Sequence, residues 1–280
     1  MRQQNQLLTS RTQVKNRFAL IPSEGVPYSR LPEWPTALVQ ILAGPALGAE
    51  FTEYRIELEA GGEGLHPADG EIEHFLFVLD GSAELTLLQG GAGGAGAAAG
   101  TAGDGGAEAA AATSANGEAT TTAFGPGSYA LVPPSVGYRL KASSATQLLL
   151  LRKRYEPAPG IAEFAPLIGC ELDVPGEVYM DDPGAALQTL IPEDFAYDMA
   201  MNIFTFQVGH SLPVTETHIM EHGLYVLDGK GVYYLDDSWM EVEKTDFIWM
   251  GPFCPQSYYA TGLSPTRYIY YKNVNRDIAL

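Results

Sequence analysis

One nine-residue motif occurs twice in this chain, and the repetition limits the fold more than any other feature. Residues 73–81 read EHFLFVLDG and residues 221–229 read EHGLYVLDG, so seven of nine positions agree at an offset of 148. A second match joins GSYALVPPSVGY at 127–138 with TDFIWMGPFCPQ at 245–256, at an offset of 118. Internal similarity of this kind indicates a duplicated structural unit.

The offset falls by 30 because the first half contains an extra segment between the two matches. Residues 90–112 are all Gly or Ala except Thr101, Asp104 and Glu108. Such a stretch has almost no side-chain surface to bury, so it cannot offset its ordering entropy. We therefore predict a disordered Gly/Ala insertion over residues 89–119, between two neighbouring strands.

Each half is otherwise a series of short strand-like runs, such as FTEYRIELEA at 51–60 and TRYIYYKNV at 266–274. These runs are rich in Val, Ile, Tyr and Phe and are separated by Gly, Pro and Asp. Helical periodicity is nearly absent, and the best helix candidate is the short segment 184–190. The pattern predicts an all-β protein, either a sandwich or a jelly-roll barrel.

The charge balance excludes several classes of partner. The chain has 16 Lys plus Arg against 34 Asp plus Glu, a formal charge of −18. A non-specific nucleic-acid binder needs a basic surface, and so does a protein that docks on anionic lipid.

Cys170 and Cys254 are too few and too far apart for a disulfide framework or a thiolate zinc site. We expect a small-molecule partner, no nucleic acid and no membrane.

The two recurring motifs, an LDG turn before a strand and a later hydrophobic run that reaches a proline, resemble the cupin family. The resemblance implies a bicupin, with two tandem jelly-roll β-barrels in one chain. The expected organisation is an N-terminal arm at 1–45, an N-terminal cupin barrel without metal at 46–157, a linker at 158–195 and a metal-binding cupin barrel at 196–280.

The segment 209–229, GHSLPVTETHIMEHGLYVLDG, contains the best candidates for metal ligands. Glu216 and His218 are two residues apart, so on a strand they share a face. His222 reaches the same ion only if the chain turns near 219–221. Carboxylate and imidazole donors suit Mn, Fe or Zn. The alternative is that the two histidines only satisfy backbone groups near a turn.

The cupin resemblance places Gln256 in the position of the last histidine ligand, and its hard amide oxygen favours Mn²⁺. The repeat then provides an internal comparison. The positions of the first half that match the four ligands carry Ala68, Gly70, His74 and Tyr138. We therefore expect no metal in that half, with His74 in a core or interface. His66 is expected in a loop.

A closer resemblance covers nearly the whole chain outside the insertion. It is carried by FALIPSEGVPYSRLPEWP at 18–35, EDFAYDMAMNIFTF at 193–206, the run from Glu216 to Gly262, and YIYYKNVNRD at 268–277. These segments are similar to the (S)-ureidoglycine aminohydrolase family. The resemblance implies Mn²⁺-dependent hydrolysis of (S)-ureidoglycine to (S)-ureidoglycolate and ammonia in purine (allantoin/allantoate) catabolism, by a homo-oligomer.

The same resemblance implies roles for individual residues. Lys272 and Glu216 are the expected catalytic residues, the lysine pairing with the substrate carboxylate or accepting a proton. The expected substrate contacts are Tyr233, Tyr268, Lys272 and Gln256. The expected metal ligands are Glu216, His218, His222 and Gln256. The usual cupin Lys-Gly-Asp turn is here Lys244-Thr245-Asp246, which alters a turn and not a ligand.

Two other functions fit the same fold. One is a different metal-dependent cupin enzyme, a dioxygenase or isomerase, and a dioxygenase would need redox-active iron. The other is a non-enzymatic ligand-binding bicupin, which would hold no metal. We expect a cytoplasmic protein; the basic residues of segment 1–23 leave an organelle or the endoplasmic reticulum as the alternative.

The composition of the insertion leads to a first prediction. Deletion of residues 91–116 should leave the melting temperature and the enzymatic turnover nearly unchanged, because the segment buries little surface. Thermal unfolding and an activity assay of the shortened chain measure both quantities. A large loss of either would mean that the segment packs on the rest of the protein.

Overall fold

The computed structural model describes residues 10–89 and 120–276. Strands account for most of this part of the chain, so the predicted all-β class is confirmed. The helices among these residues are short 3-10 turns at Ser23–Gly25, Pro45–Leu47 and Glu171–Asp173. None of the described helices is long and apolar enough to cross a membrane. Residues 90–119 of the predicted insertion lie outside the described ranges.

The strands that precede residue 160 are β1 (Gln13–Val14), β2 (Phe18–Pro22), β3 (Tyr28–Leu31), β4 (Trp34–Ala43), β5 (Phe51–Leu58), β6 (Glu63–His66), β7 (Ile72–Asp80), β8 (Ala83–Gln89), β9 (Thr120–Phe124), β10 (Ser128–Val132), β11 (Val136–Ala142) and β12 (Thr146–Arg154). Those that follow it are β13 (Leu167–Cys170), β14 (Glu177–Tyr179), β15 (Asp182–Thr189), β16 (Met199–Phe206), β17 (His222–Asp228), β18 (Lys230–Leu235), β19 (Ser238–Glu243), β20 (Asp246–Met250), β21 (Gln256–Ala260) and β22 (Thr266–Asn273).

These strands form four open antiparallel sheets, a larger and a smaller one in each half. The N-terminal half has the seven-stranded order β13-β10-β7-β12-β5-β4-β3 and the four-stranded order β6-β11-β8-β9. The C-terminal half has the eight-stranded order β1-β2-β20-β17-β22-β16-β15-β14 and the three-stranded order β19-β18-β21. The order β10-β7-β12-β5 recurs as β20-β17-β22-β16, so the sequence repeat corresponds to a repeat in topology.

The segments predicted as arm and linker are built into the larger sheets. Strand β2 of the arm pairs with β20 of the C-terminal half, and β3 and β4 extend the N-terminal sheet. In the linker segment, β13 pairs with β10, whereas β15 pairs with β16. Each half therefore receives strands from a part of the chain outside its own repeat, which satisfies the backbone groups at its sheet edges.

The prediction of a helix at 184–190 is wrong, because most of that segment belongs to β15. Its alanine-rich sequence favours a helix locally. In the folded chain, however, β15 is hydrogen-bonded between β14 and β16. The two strand partners override the local preference.

The eight-stranded sheet is buried on both of its faces. Along β22, Tyr268 and Tyr270 pack in a cluster inside the C-terminal half. Ile269 and Tyr271 pack in a different cluster, shared with the N-terminal half. There the ring centroids of Tyr271 and Phe51 are 4.7 Å apart. The two halves therefore share one apolar core, which supports this sheet from behind.

One residue of the second motif is adapted to this contact. Gly223 occupies the position of Phe75 in the first motif, and a Cβ atom there would lie 2.6 Å from the Phe51 ring. A larger residue would push the two halves apart. The glycine at position 223, where the first motif has Phe75, is therefore explained by the packing of one half against the other.

Charged side chains are also buried between the halves. The Lys153 ammonium forms an ion pair with Asp198 and lies 3.6 Å from Glu73. A buried charge without a partner is strongly destabilising, so this contact fixes the approach of the segment before β16 to the N-terminal half.

Glu53, on β5, is a buried carboxyl group beside the same interface. It is 4% exposed, and within the described part of the chain its Oε2 atom has no hydrogen-bond partner. Burial raises the pKa of Glu53 to about 8, from 4.5. The folded protein therefore keeps this proton over a pH range in which the unfolded chain has lost it.

A pH-dependent stability follows from the raised pKa of Glu53. As pH rises from about 4.5 to about 8, wild-type stability should fall, because the folded state binds the proton more tightly. Glu53→Gln removes this dependence, so its melting temperature relative to wild type should be higher at pH 8.5 than at pH 5. The exposed Glu59→Gln serves as the control. Equal shifts at both pH values would contradict the assignment.

Candidate functional site

A cavity of about 590 Å³ lies in the C-terminal half and is formed largely by the eight-stranded sheet. Its walls include every site residue that the sequence suggested: Glu216, His218, His222, Tyr233, Gln256, Tyr268 and Lys272. The structure thus brings together side chains that are up to 56 positions apart in the sequence.

One wall of the cavity is the face of three adjacent strands. His222 on β17 is directly opposite Lys272 on β22. In the next row on the same face, Tyr270 is opposite Asn202 of β16. Side chains two residues apart share a face of a strand, so Tyr268, Tyr270 and Lys272 all line the cavity.

The opposite side is held by an isolated β-bridge. Glu216 and Gln256 exchange two backbone hydrogen bonds, of 2.8 and 2.9 Å. The carbonyl oxygen of His218 accepts a further bond, of 2.8 Å, from the Phe253 N–H. The chain then bends at Ile219 before β17 begins at His222, where the sequence required a turn.

The two histidines are neutral. Burial lowers the pKa of His222 to about 3, with a smaller contribution from the positive charges nearby, and it also lowers the pKa of His218. Their rings are nearly parallel, with centroids 4.7 Å apart. Among the described residues, the Nδ1 atom of each is buried without a hydrogen-bond partner. Backbone groups at the turn, including that of Met220, act on both rings in the opposite direction and raise their pKa.

Each oxygen-bearing candidate ligand is oriented by a tyrosine. The Tyr179 hydroxyl donates a 2.8 Å hydrogen bond to Glu216 Oε1. The Tyr233 hydroxyl donates a 3.0 Å hydrogen bond to Gln256 Oε1. Gln256 Nε2 lies 3.3 Å from His218 Nε2, so the amide contacts the imidazole directly. The tyrosines thus fix two side chains that would otherwise rotate freely.

These side chains suit a divalent metal in their chemistry. Over the described ranges, no group of three or more His, Cys, Asp or Glu side chains already has the arrangement of a metal site. The fit therefore depends on the donors themselves: one carboxylate, two neutral imidazoles with unpartnered nitrogen atoms, and one amide oxygen. This mixture of oxygen and nitrogen donors is suited to Mn²⁺.

Lys272 is the cation of this cavity. It is half-buried, and within the described residues its ammonium group has neither an ion pair nor a hydrogen bond. Its charge contributes to the lowered pKa of both histidines, after burial. A compact ammonium group without a partner can bind an anionic ligand group.

The two tyrosines named from the sequence are buried in the wall. Tyr233 and Tyr268 belong to the core cluster of this half, and their ring centroids are 6.3 Å apart. Burial raises the pKa of both well above its usual value, so both remain protonated donors. The structure therefore shows both packing and access to the cavity for each ring.

Three further residues at the site were missed from the sequence: Tyr179, Asn202 and Tyr270. Tyr270 could have been found, because it alternates with Tyr268 and Lys272 on one strand. Tyr179 gave no signal, since it lies in the segment taken as a linker. Asn202 is an ordinary polar residue until its neighbours are known.

The corresponding part of the N-terminal half is filled with side chains. The ring of His66 stacks on Tyr138 at 4.8 Å and lies 5.3 Å from Trp34. His74 is buried, and its Nε2 atom accepts a 3.2 Å hydrogen bond from Arg152. The prediction that His66 is a loop residue is wrong: it ends β6 and is buried, because its strand pairs with β11.

Comparison with known proteins identifies relatives over almost the whole chain, although no family model matches it. An (S)-ureidoglycine aminohydrolase of Arabidopsis thaliana is 34% identical over 277 residues, which cover 96% of this chain and 79% of the relative. The enzyme of the same name from Escherichia coli K12 is 32% identical over 283 residues, covering 98% and 95%. A probable (S)-ureidoglycine aminohydrolase of Oryza sativa is 33% identical over 276 residues, covering 96% and 76%.

Solved structures are also similar to this chain over most of its length. Protein Ylba from E. coli is 29% identical, with a TM-score of 0.74 and 98% of each chain covered. A putative glyoxylate induced protein from Pseudomonas aeruginosa is 32% identical, with a TM-score of 0.79, covering 97% of this chain and 94% of the other. Bacillus subtilis oxalate decarboxylase, at 11% identity and a TM-score of 0.65 over 95% and 79% of the two chains, is similar in fold alone.

Proposed function

This chain belongs to the (S)-ureidoglycine aminohydrolase family, and from that membership we propose that it hydrolyses (S)-ureidoglycine to (S)-ureidoglycolate and ammonia with Mn²⁺ in the C-terminal half. The observation that carries the proposal is the identity of 32–34% with three enzymes of this name over 96–98% of the chain. The protein is thus an enzyme that acts on ureidoglycine. Its place in purine catabolism, through allantoin and allantoate, is part of the proposal.

The metal would be held by Glu216, His218, His222 and Gln256. When bound, Mn²⁺ supplies Lewis-acid polarisation of the substrate. The neutral state of both imidazoles supports this assignment, because a protonated ring cannot bind a metal.

The remaining residues bind the substrate and move protons. The Lys272 ammonium pairs with the substrate carboxylate or, as a free amine, accepts a proton. Tyr268 donates a hydrogen bond to the ureido carbonyl, and Tyr233 joins it by exchanging its bond to Gln256 for one to the substrate. Glu216 carries a proton between water and the leaving amine. In the reaction the C–N bond to the amine breaks, the oxygen of water bonds to that carbon, and the nitrogen leaves as ammonia.

The proposal includes the architecture that supports this chemistry. The strands at 46–157 form one cupin barrel without metal, and those at 196–280 form a second one with metal. The joining segment 158–195 and the arm at 1–45 add further strands to the larger sheets. The recurrence of the strand order β10-β7-β12-β5 as β20-β17-β22-β16 supports this division. The enzyme is proposed to be a cytoplasmic homo-oligomer.

The activity is tested by ammonia release from ureidoglycine generated in situ from allantoate. Purified protein should release one ammonia per ureidoglycine, at the same rate with and without oxygen. An oxygen requirement would identify a dioxygenase instead, and no turnover with tight ureide binding would identify a binding protein.

The ligand assignment predicts one Mn²⁺ per chain by elemental analysis, because only the C-terminal half has a full donor set. His218→Ala combined with His222→Ala should lose the metal. His210→Ala, a half-exposed histidine that pairs with Asp182 outside the cavity, should keep it. Two metals per chain, or a metal retained by the double variant, would contradict the assignment.

Lys272→Met should reduce turnover about a hundredfold or more while the metal stays bound, because a charge-assisted contact to a desolvated carboxylate is lost. Methionine keeps much of the packing of the lysine stem. The exposed Lys244→Met, which removes only a surface pair with Asp228, is the control and should keep wild-type turnover. Near wild-type turnover of the Lys272 variant, with its metal content confirmed, would remove this residue from the mechanism.

A further inference from the structure

A buried amide in the cavity wall has one end without a partner. Asn202 on β16 is 5% exposed and lines the cavity. Its Nδ2 group donates a 3.2 Å hydrogen bond to the Tyr270 hydroxyl. Its Oδ1 atom is buried and has no hydrogen-bond partner among the residues that the structure describes. Buried polar atoms in folded proteins almost always have one, so an unpaired acceptor in a cavity indicates a missing donor.

The Tyr270 hydroxyl that accepts from this amide is held in place by two neighbouring rings. The Tyr270 ring stacks on His222, with centroids 5.7 Å apart and planes 3° from parallel. On β16 it stacks on Phe204, at 5.6 Å and 11°. A ring held against two others keeps its hydroxyl in one place, and that hydroxyl occupies the Nδ2 end of Asn202. In the structure the Nδ2 end of the amide faces this hydroxyl, and the Oδ1 end is the one left for a ligand.

Asn202 is also placed at a suitable distance from the free cation. Lys272 is paired with Ala200, and Asn202 is the next residue on that face of β16. Diagonal neighbours of this kind are separated by about 7–8 Å. A molecule that carries a carboxylate and a ureido group on one carbon can therefore contact Lys272 at one end and Asn202 at the other.

A ureido group needs acceptors as well as donors, and the other acceptors that line the cavity at Thr189, Glu193, Asp194 and Asn275 are exposed to solvent. Its nitrogen atoms are hydrogen-bond donors, whereas lysine and the tyrosines of the wall offer donors to its carbonyl. The carboxylate of Glu216 and the amide oxygen of Gln256 already accept bonds from Tyr179 and Tyr233. Asn202 Oδ1 is a neutral acceptor that has no such partner.

We propose that Asn202 is a specificity-determining residue whose Oδ1 atom accepts an N–H of the ureido group. This inference rests on the proposed function, because it takes the ligand to be a ureide held by its carboxylate at Lys272. In this proposal the Asn202 amide distinguishes a ureido group from other acyl groups. A ligand with a methyl group in place of the terminal nitrogen would leave Oδ1 unpaired.

The test compares two ligands that differ at this group, N-carbamoylglycine and N-acetylglycine. Their affinities are measured by calorimetry for the metal-loaded wild type, Asn202→Ala, Asn202→Leu and Asn202→Asp. The wild type should bind N-carbamoylglycine about tenfold more tightly. Both the Ala and Leu variants should lose this preference by weakening N-carbamoylglycine alone. Asn202→Asp, which keeps an acceptor oxygen, should retain a preference.

The Lys272→Met variant tests the carboxylate contact separately from the ureido contact, because both ligands carry a carboxylate. It should weaken both to a similar extent and leave their ratio unchanged. An unchanged preference in Asn202→Ala and Asn202→Leu would overturn the role of Asn202 and leave the proposed function intact. Failure of the wild type to bind either ligand would contradict the ureide site itself, and the role of Asn202 with it.

Discussion

The site depends on the pairing of β22 between β16 and β17. This strand alternates between two environments, with Tyr268, Tyr270 and Lys272 towards the cavity and Ile269 and Tyr271 towards the other half of the chain. Hydrogen bonding on both edges fixes its register, and a slip of one residue would exchange the two sets. The positions of the proposed substrate-binding groups are therefore fixed by the same pairing that builds the core.

The N-terminal half supports the cavity of the C-terminal half. Glu50 donates its backbone N–H to the Glu221 carboxylate, which also accepts a bond from Trp249. Glu221 directly precedes His222, and its own backbone N–H donates to Asn273, the neighbour of Lys272. The first half thus supports the start of β17, which carries the proposed ligand His222. It also supports the end of β22, which carries the proposed substrate contact Lys272.

Desolvation gives the cavity its chemical character. The same burial that keeps His222 neutral keeps the tyrosines protonated, so the wall offers neutral nitrogen acceptors and hydroxyl donors. In the N-terminal half, the buried rings of His66 and His74 pack against Tyr138, and His66 also packs against Trp34. The two halves share a topology and differ in whether the space between their sheets is filled.

The sequence determined the features that depend on local chemistry and repetition. Short strand-like runs predicted the all-β class, and the order of Glu216, His218 and His222 with a required turn predicted a shared site. Gln256, Lys272, Tyr233 and Tyr268 came from resemblance to a family, and the structure places all of them at one cavity.

Only the tertiary structure decided the features that arise from strand pairing between distant segments. The segment around 184–190 has a helical composition and yet forms a strand, because two neighbours satisfy its backbone. Tyr179 reaches Glu216 from the segment taken as a linker. Asn202 donates to Tyr270 on the neighbouring strand, while its oxygen has no partner among the described residues. Local sequence carries no record of such pairings, since each depends on which strand lies alongside.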